Sequence, residues 1–265
     1  MRKLLLPIGP KSSSSEMTTC KLAVFASGRG TDFQAIVDHE KLGILKGVEV
    51  AALISNHFGS MAVQRAKREG IPVIEIEGVT GKSFSSPVER EQARISFDEE
   101  CIRRLGHLKV DLIALAGFDQ LLSNVMLERF PYRILNIHPA YDLVKFGGRN
   151  MVGNRVHLAV IKSGVKYSGC TVHFATAIID LGPPILKQRV PIDAGETPDS
   201  LERKILSCEH LLYPKAIQLV VDRRVKIDDS GRRCFVDLFS DNWDIDWSER
   251  QQAYVRANPE IKEPL

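Results

Sequence analysis

The sequence has no C-x-x-C pair, no run of basic residues and no long apolar stretch. Its five cysteines are scattered and odd in number, which disfavours a zinc site or a disulfide framework and favours a reducing compartment. The 36 basic and 33 acidic residues leave a formal net charge of +3, so nothing in the composition calls for nucleic acid or an anionic membrane. No apolar run approaches the ~20 residues of a membrane span. We therefore expect a cytoplasmic protein without a metal, nucleic-acid or membrane partner.

The domain organisation follows from composition along the chain. The 265 residues, 44% of them hydrophobic, are enough for a sizeable core. Residues 1–20, with four consecutive serines, are predicted to form a flexible leader. Residues 21–222 are predicted to form a single α/β domain, and residues 223–265 a polar C-terminal extension with a hairpin near Ser230.

Apolar segments alternate with helical patterns along the predicted domain, which indicates a doubly wound, mostly parallel sheet with helices on both faces. Two later strands, Ser168 to Ala175 and Ile185 to Pro191, are expected to pair through the turn that contains Asp180. The earlier strands are predicted over Lys21 to Ser27, Val48 to Asn56, Pro72 to Ile76, Val110 to Phe118 and Ile134 to Pro139.

A glycine loop follows the first predicted strand and precedes a helix. Gly28 and Gly30, with Thr31, fit a turn that aims backbone N–H groups and the positive end of a helix at an anion. Phe33 stands where the dinucleotide fingerprint needs a third glycine, so a phosphate monoester suits the loop better than NAD. An ordinary βα turn would also favour glycine here. Asp32 would repel a phosphate, and we interpret it as the helix N-cap.

Three polar residues supply the chemistry of acyl transfer. Asn136 and His138 alternate along a strand that ends at Pro139, so their side chains point to the same face. Asp180 precedes a Gly-Pro turn that can aim a carboxylate. An amide donor, a titrating imidazole and an acceptor suffice for acyl transfer without a covalent intermediate. Taken singly, each residue also fits a structural role: a strand-end amide, a buried histidine or a turn-former.

An ordered set of motifs resembles the phosphoribosylglycinamide formyltransferase family of folate-dependent enzymes, over roughly Lys21 to Val225. The motifs are the glycine loop, Asn136-x-His138-Pro139, Ser168-Gly-Cys-Thr-Val-His173, Asp180-x-Gly182-Pro183 and Glu209-His210-x-x-Tyr213-Pro214. The resemblance implies transfer of a formyl group from 10-formyltetrahydrofolate, as co-substrate, to the amine of glycinamide ribonucleotide in purine biosynthesis.

The same resemblance implies roles for individual residues. The implied catalytic residues are Asn136, His138 and Asp180. The implied phosphate-binding residues are Gly28, Gly30, Thr31 and Asp32, and Glu209 would contact the substrate amine. The implied folate-binding residues are Arg94, Phe118, Asp119, Gln120, Leu121 and Leu122. His157 and His173 would support the site. From the residues alone, Arg94 fits a solvated helix face better than a contact with the folate.

The sequence departs from the family pattern in three places. The family usually has asparagine at Asp32, Met-Arg at Asp119-Gln120, and Ser-Leu-Leu-Pro where this chain continues from Ala140. Two other functions therefore stay open: hydrolysis of formyltetrahydrofolate, and folate or nucleotide binding without catalysis. A formyltransferase acting on tRNA fits less well, because the extension after Arg223 has no basic stripe. The sequence is compatible with a homodimer but specifies none.

Overall fold

A computed structural model of the chain describes residues 4–5, 19–238 and 243–259. The chain folds into two compact units. Among the described residues, the first unit comprises residues 4–5, 35–46, 136–238 and 243–259, and the second comprises residues 19–34 and 47–135. Most of the predicted leader lies outside the described residues. The single domain predicted over residues 21–222 stays a prediction.

The element order alternates strands and helices, as the apolar pattern predicts. The strands are β1 (Leu4–Leu5), β2 (Cys20–Phe25), β3 (Val48–Ser55), β4 (Val73–Glu75), β5 (Leu112–Leu115), β6 (Ile134–His138), β7 (Tyr167–Phe174), β8 (Pro184–Pro191), β9 (Val225–Ile227) and β10 (Cys234–Val236). The helices are α1 (Thr31–Lys41), α2 (Met61–Glu69), α3 (Pro87–Gly106), α4 (Asn124–Arg129), α5 (Leu143–Phe146), α6 (Asn154–Lys162), α7 (Pro198–Val221) and α8 (Trp243–Ala257).

The main sheet has seven strands in the order β4-β3-β2-β5-β6-β7-β8. β2 pairs in parallel with both β3 and β5, and β3 pairs in parallel with β4. β7 and β8 form an antiparallel pair, as predicted from the turn that contains Asp180. This mostly parallel sheet confirms the predicted fold class.

The second unit has its core on the central parallel strands. All four residues of β5 are buried, and β2 is buried along nearly its whole length. Strands covered on both faces read as continuous apolar runs, so these segments show no alternation of apolar and polar residues. α2 begins at the Ser60 cap and ends at Gly70, whose φ of 73° suits glycine.

The first unit is built on the β7–β8 pair and the long helix α7. Gly169, in β7, has a φ of 146°, and a Cβ there would lie 1.8 Å from the Gln188 carbonyl oxygen, so no larger residue fits. Thr197 is the N-cap that precedes α7, and its side chain and that of Ser200 form a reciprocal capping box. Pro214 lies inside the helix.

The C-terminal extension also belongs to the first unit. β9 and β10 pair in the hairpin predicted near Ser230, and β9 also pairs with the backbone of β1, inside the segment predicted to be flexible. α8, which the sequence reasoning missed, buries Trp247 and Tyr254 completely or nearly so. The Arg250 guanidinium donates to the Ile44 carbonyl oxygen at 2.6 Å. The extension is therefore a packed part of the unit.

None of the helices in the described part of the chain is long and apolar enough to cross a membrane.

Candidate active site

The three predicted catalytic residues come together in the first unit. Asn136 and His138 lie on β6, and Asp180 lies in the turn between β7 and β8. The Asp180 Oδ2 atom is 3.4 Å from His138 Nδ1, and Asp180 Oδ1 accepts a hydrogen bond of 3.2 Å from Asn136 Nδ2. An amide, an imidazole and a carboxylate from distant segments thus form one contiguous cluster.

The carboxylate of Asp180 is held by the backbone around it. The residue has a φ of 57°, in the left-handed region, and its side chain is 10% exposed. The Gly148 N–H donates to Oδ2 at 2.8 Å. At Gly147 a Cβ would lie 2.5 Å from the Leu143 carbonyl oxygen and 3.0 Å from Asp180 Cβ, so only glycine fits beside the carboxylate.

Both ring nitrogens of His138 face oxygen acceptors. Nε2 lies 2.8 Å from the Phe146 carbonyl oxygen, which can only accept, so Nε2 carries a hydrogen. Nδ1 faces the Asp180 carboxylate. The side chain is buried, with Nε2–H directed at a carbonyl oxygen and Nδ1 facing a carboxylate. The ring is thus held in one orientation beside the other two polar groups of the cluster.

His173 fixes the orientation of the Asn136 amide. His173 Nδ1 lies 3.0 Å from the Phe174 carbonyl oxygen and therefore carries the hydrogen, which leaves Nε2 to accept from Asn136 Nδ2 at 3.1 Å. Burial lowers the pKa of His173, against the opposing effects of Phe174 and Asp180. The ring is thus neutral, and the two amide hydrogens of Asn136 are directed at His173 and Asp180.

The two remaining predicted residues of the first unit are also buried. His157, on α6, is 2% exposed, and burial lowers its pKa while Glu202 acts in the opposite direction. Glu209 lies on α7 and is 6% exposed. An acid that is buried on a helix is not an ordinary solvated surface residue. Their supporting and amine-binding roles stay predictions.

The glycine loop lies in the second unit. Gly30 has a φ of 68°, and a Cβ there would lie 2.7 Å from the Ala62 Cα atom, so glycine is required. α1 begins at Thr31, and Asp32 therefore lies in the first helical turn; its interpretation as the N-cap is wrong. Burial raises the pKa of Asp32 to about 7, although Arg29 acts in the opposite direction.

The predicted folate segment, also in the second unit, contains a polar cluster around Asp119. Its carboxylate accepts from Asn56 Nδ2 at 2.7 Å and lies 2.8 Å from His57 Nε2, while its backbone N–H donates to Ser27 Oγ at 2.9 Å. Burial alone would raise the pKa of Asp119, but these hydrogen bonds outweigh burial and lower it. Asn56 and His57 were missed by sequence reasoning; their position just after β3 was the available signal.

Gln120 and Phe118 contact other loops and strands of the second unit. Gln120 is 4% exposed, and its Oε1 atom accepts from the Val79 N–H at 2.7 Å. The Phe118 ring packs edge-on against Phe25, with centroids 5.3 Å apart. Both side chains thus hold the segment in place.

Arg94 lies on α3 and forms an ion pair with Glu91, and only 20% of its side chain is exposed. This burial differs from the solvated helix face that the sequence favours. Leu121 and Leu122 are half-buried and follow Gln120 in the same loop. The contacts with folate implied for these residues stay predictions.

No group of three or more His, Cys, Asp or Glu side chains within residues 19–238 and 243–259 is arranged to hold a metal ion.

The mostly parallel sheet and the clustered Asn136, His138 and Asp180 define an α/β protein with the groups that acyl transfer needs. Residues 20–217 match the family model described as Formyl transferase, so the chain belongs to the formyl transferase family.

Individual relatives show which members of that family the chain resembles. Phosphoribosylglycinamide formyltransferase of Escherichia coli K12 is 32% identical over 210 residues, which cover 79% of this chain and 91% of the relative. The crystal structure of glycinamide ribonucleotide transformylase 1 from Symbiobacterium toebii has a TM-score of 0.72 at 36% identity, covering 86% of this chain and 98% of that one. The resemblance to phosphoribosylglycinamide formyltransferases is thereby confirmed.

A third relative is much longer than this chain. The trifunctional purine biosynthetic protein adenosine-3 of Gallus gallus is 34% identical over 215 residues, 81% of this chain. The match spans about a fifth of the relative, 20% of its length.

Proposed function

We propose that this protein transfers the formyl group of 10-formyltetrahydrofolate to the amine of glycinamide ribonucleotide, in purine biosynthesis. The observation that carries the proposal is the contact of the Asp180 carboxylate with both His138 and Asn136. The names of the relatives at 32% and 36% identity support the choice of substrates.

Asn136 and His138 would stabilise the tetrahedral intermediate. An amide N–H directed at the developing oxyanion typically contributes ~10²–10³ in rate. Because both amide hydrogens point at His173 and Asp180, one of these bonds must be exchanged for the oxyanion as the reaction proceeds. A doubly protonated His138 ring would stand beside the same charge and then supply a proton to the departing folate nitrogen.

Asp180 would accept the proton that the attacking amine loses, directly or through one water. Its two hydrogen-bond donors, Asn136 and the Gly148 N–H, hold the carboxylate in one orientation. A carboxylate that is fixed in advance needs no reorganisation when the amine becomes positively charged.

The glycine loop would bind the phosphate of the acceptor through backbone N–H groups at the start of α1. The raised pKa of Asp32 keeps a large fraction of this carboxyl uncharged near neutral pH, which reduces the repulsion that the sequence suggested. Glu209 would contact the acceptor amine. The segment from Phe118 to Leu122, together with Arg94, would contact the folate.

We place the reaction in the cytoplasm. A homodimer stays a prediction that light scattering at micromolar protein concentration tests.

The test is to mix the protein with 10-formyltetrahydrofolate, with and without glycinamide ribonucleotide, and to follow tetrahydrofolate release by absorbance. Release that requires the amine establishes the transferase. Release without the amine would replace the proposal with hydrolysis, and binding without release would replace it with a non-catalytic folate-binding role. Asp180→Ala serves as the control that separates catalysis from spontaneous deformylation of the folate.

A further inference from the structure

The first unit contains a cavity of about 510 Å³. We call it the Tyr141 cavity, and the residues that line it include Tyr141, Asp142, Lys145, Lys166, Tyr167 and Lys187. Its volume falls within the ~300–1,000 Å³ of typical small-molecule sites. Asn136, His138 and Asp180 do not line it, so the formyl-transfer chemistry gives no reason for its composition.

The charge of the Tyr141 cavity is strongly positive. Within the described part of the chain, Lys145, Lys166 and Lys187 each lack an ion-pair partner. Asp142 is an acidic residue that lines the cavity, and its carboxylate accepts from the Val144 and Lys145 N–H groups as the cap of α5. The cavity lining therefore presents three ammonium groups against one carboxylate.

Aromatic rings contact two cations of β8, Lys187 of the cavity lining and Arg189 beside it. Lys187 Nζ lies 4.1 Å from the centroid of Tyr141. The Arg189 guanidinium lies 4.8 Å from the Tyr141 centroid and 4.5 Å from that of Tyr167. Cation–π contacts position these groups without using their N–H donors or neutralising their charge. The N–H groups of these cations therefore remain available to donate hydrogen bonds to a bound anion.

The register of the β7–β8 pair shows which strand residues share the cavity face. Tyr167, Lys187 and Arg189 lie on one face of the pair. Ser168 pairs with Val190 on the opposite, buried face. The three strand side chains on the cavity face are therefore cationic or aromatic. Cations without carboxylate partners suit a ligand rich in acceptor oxygens.

We propose that the Tyr141 cavity binds a phosphorylated small molecule, with the ammonium groups of Lys145, Lys166 and Lys187 contacting its phosphate oxygens. Lysine binds phosphate as a point charge, and several converging ammonium groups favour a multiply charged phosphate over a single carboxylate. No residue of the glycine loop lines the cavity, and the proposal does not depend on formyl transfer.

The test measures the accessibility of the cavity lysines directly. Surface lysines are acetylated with an activated ester in the presence and absence of millimolar pyrophosphate, and the modified residues are quantified by mass spectrometry. We expect pyrophosphate to slow acetylation of Lys145, Lys166 and Lys187 about threefold or more, because bound anion shields their ammonium groups. Lys162, an exposed lysine of α6 outside the cavity lining, should not change.

A matched pair of variants separates this site from general attraction of anions. In the Lys187→Gln variant, the slowing of Lys166 acetylation by pyrophosphate should fall to about half or less of its wild-type value. In the Arg203→Gln variant, which removes an exposed charge from α7, the slowing of Lys166 acetylation should be unchanged. Circular dichroism verifies that both variants fold. Equal protection of Lys162, no protection of the cavity lysines, or protection of Lys166 that survives Lys187→Gln would each overturn the proposal.

Discussion

Replacing Asp32 by asparagine should change how the stability of the protein depends on pH. Asp32 is 8% exposed in the first turn of α1, and burial raises its pKa from 3.8 to about 7. In the unfolded chain the carboxyl has its ordinary value. Folding therefore disfavours the charged form, and the wild type loses stability as pH rises from the unfolded pKa to the folded one.

The size of this loss follows from the two pKa values. A shift of one unit corresponds to about 1.4 kcal/mol, so by linkage Asp32 lowers the free energy of unfolding by roughly 2 kcal/mol at pH 5 and roughly 4 kcal/mol at pH 8. The Asp32→Asn variant carries no charge at either pH. The difference in stability between variant and wild type should thus grow by about 2–3 kcal/mol from pH 5 to pH 8 in favour of the variant.

Urea unfolding at both pH values, followed by circular dichroism, measures this difference. Comparing the two proteins at each pH cancels every other titrating group. Asp229→Asn, at an exposed turn position, is the matched control and should show no such growth. The raised pKa of Asp32 would be refuted if the difference in free energy of unfolding between Asp32→Asn and the wild type stayed constant from pH 5 to pH 8.

Three further substitutions and one control at an exposed position test the proposed catalytic cluster and the C-terminal extension. Asn136→Ala should lower kcat about 10²–10³-fold while the melting temperature changes little, because an oxyanion donor is lost; near-normal turnover in the folate-release assay would remove Asn136 from the cluster. Asp180→Asn retains the shape but not the charge, and should lower kcat at least about a hundredfold without unfolding the protein; unchanged kcat would exclude Asp180 as proton acceptor. Trp247→Ala should cost about 3–5 kcal/mol in urea unfolding, because the indole is fully buried, whereas Phe235→Ala, at an exposed position, should cost less than about 1 kcal/mol.

Strong local patterns made the central sheet predictable. The apolar runs that begin near Lys21 and Val110 become β2 and β5, because both faces of a parallel strand are buried and the signal needs no distant partner. The strand predicted from Val48 is β3. The clustering of Asn136, His138 and Asp180 was predictable only through the ordered motifs, since spacing along the chain does not fix distances between separate turns.

The interactions that sequence reasoning missed depend on segments far apart in the chain. Asp119 contacts His57, which lies 62 positions earlier in the sequence, and no local pattern encodes such a contact. The position of Asp32 inside the helix depends on where α1 begins, and a shift of one residue turns a cap into a buried acid. Trp247 and Tyr254, seven residues apart on α8, did mark one buried helical face, but the surrounding polar residues obscured it.

The left-handed backbone at Asp180 limits how this position can evolve. Among the residues that adopt such a φ readily, glycine, asparagine and aspartate, only aspartate has a carboxylate. Glutamate would have to adopt an unfavourable backbone conformation and extend its acid one methylene further toward Gly147. A lineage that loses this aspartate therefore has no neighbouring acidic substitute, and descendants should either retain it unchanged or abandon the chemistry that depends on it.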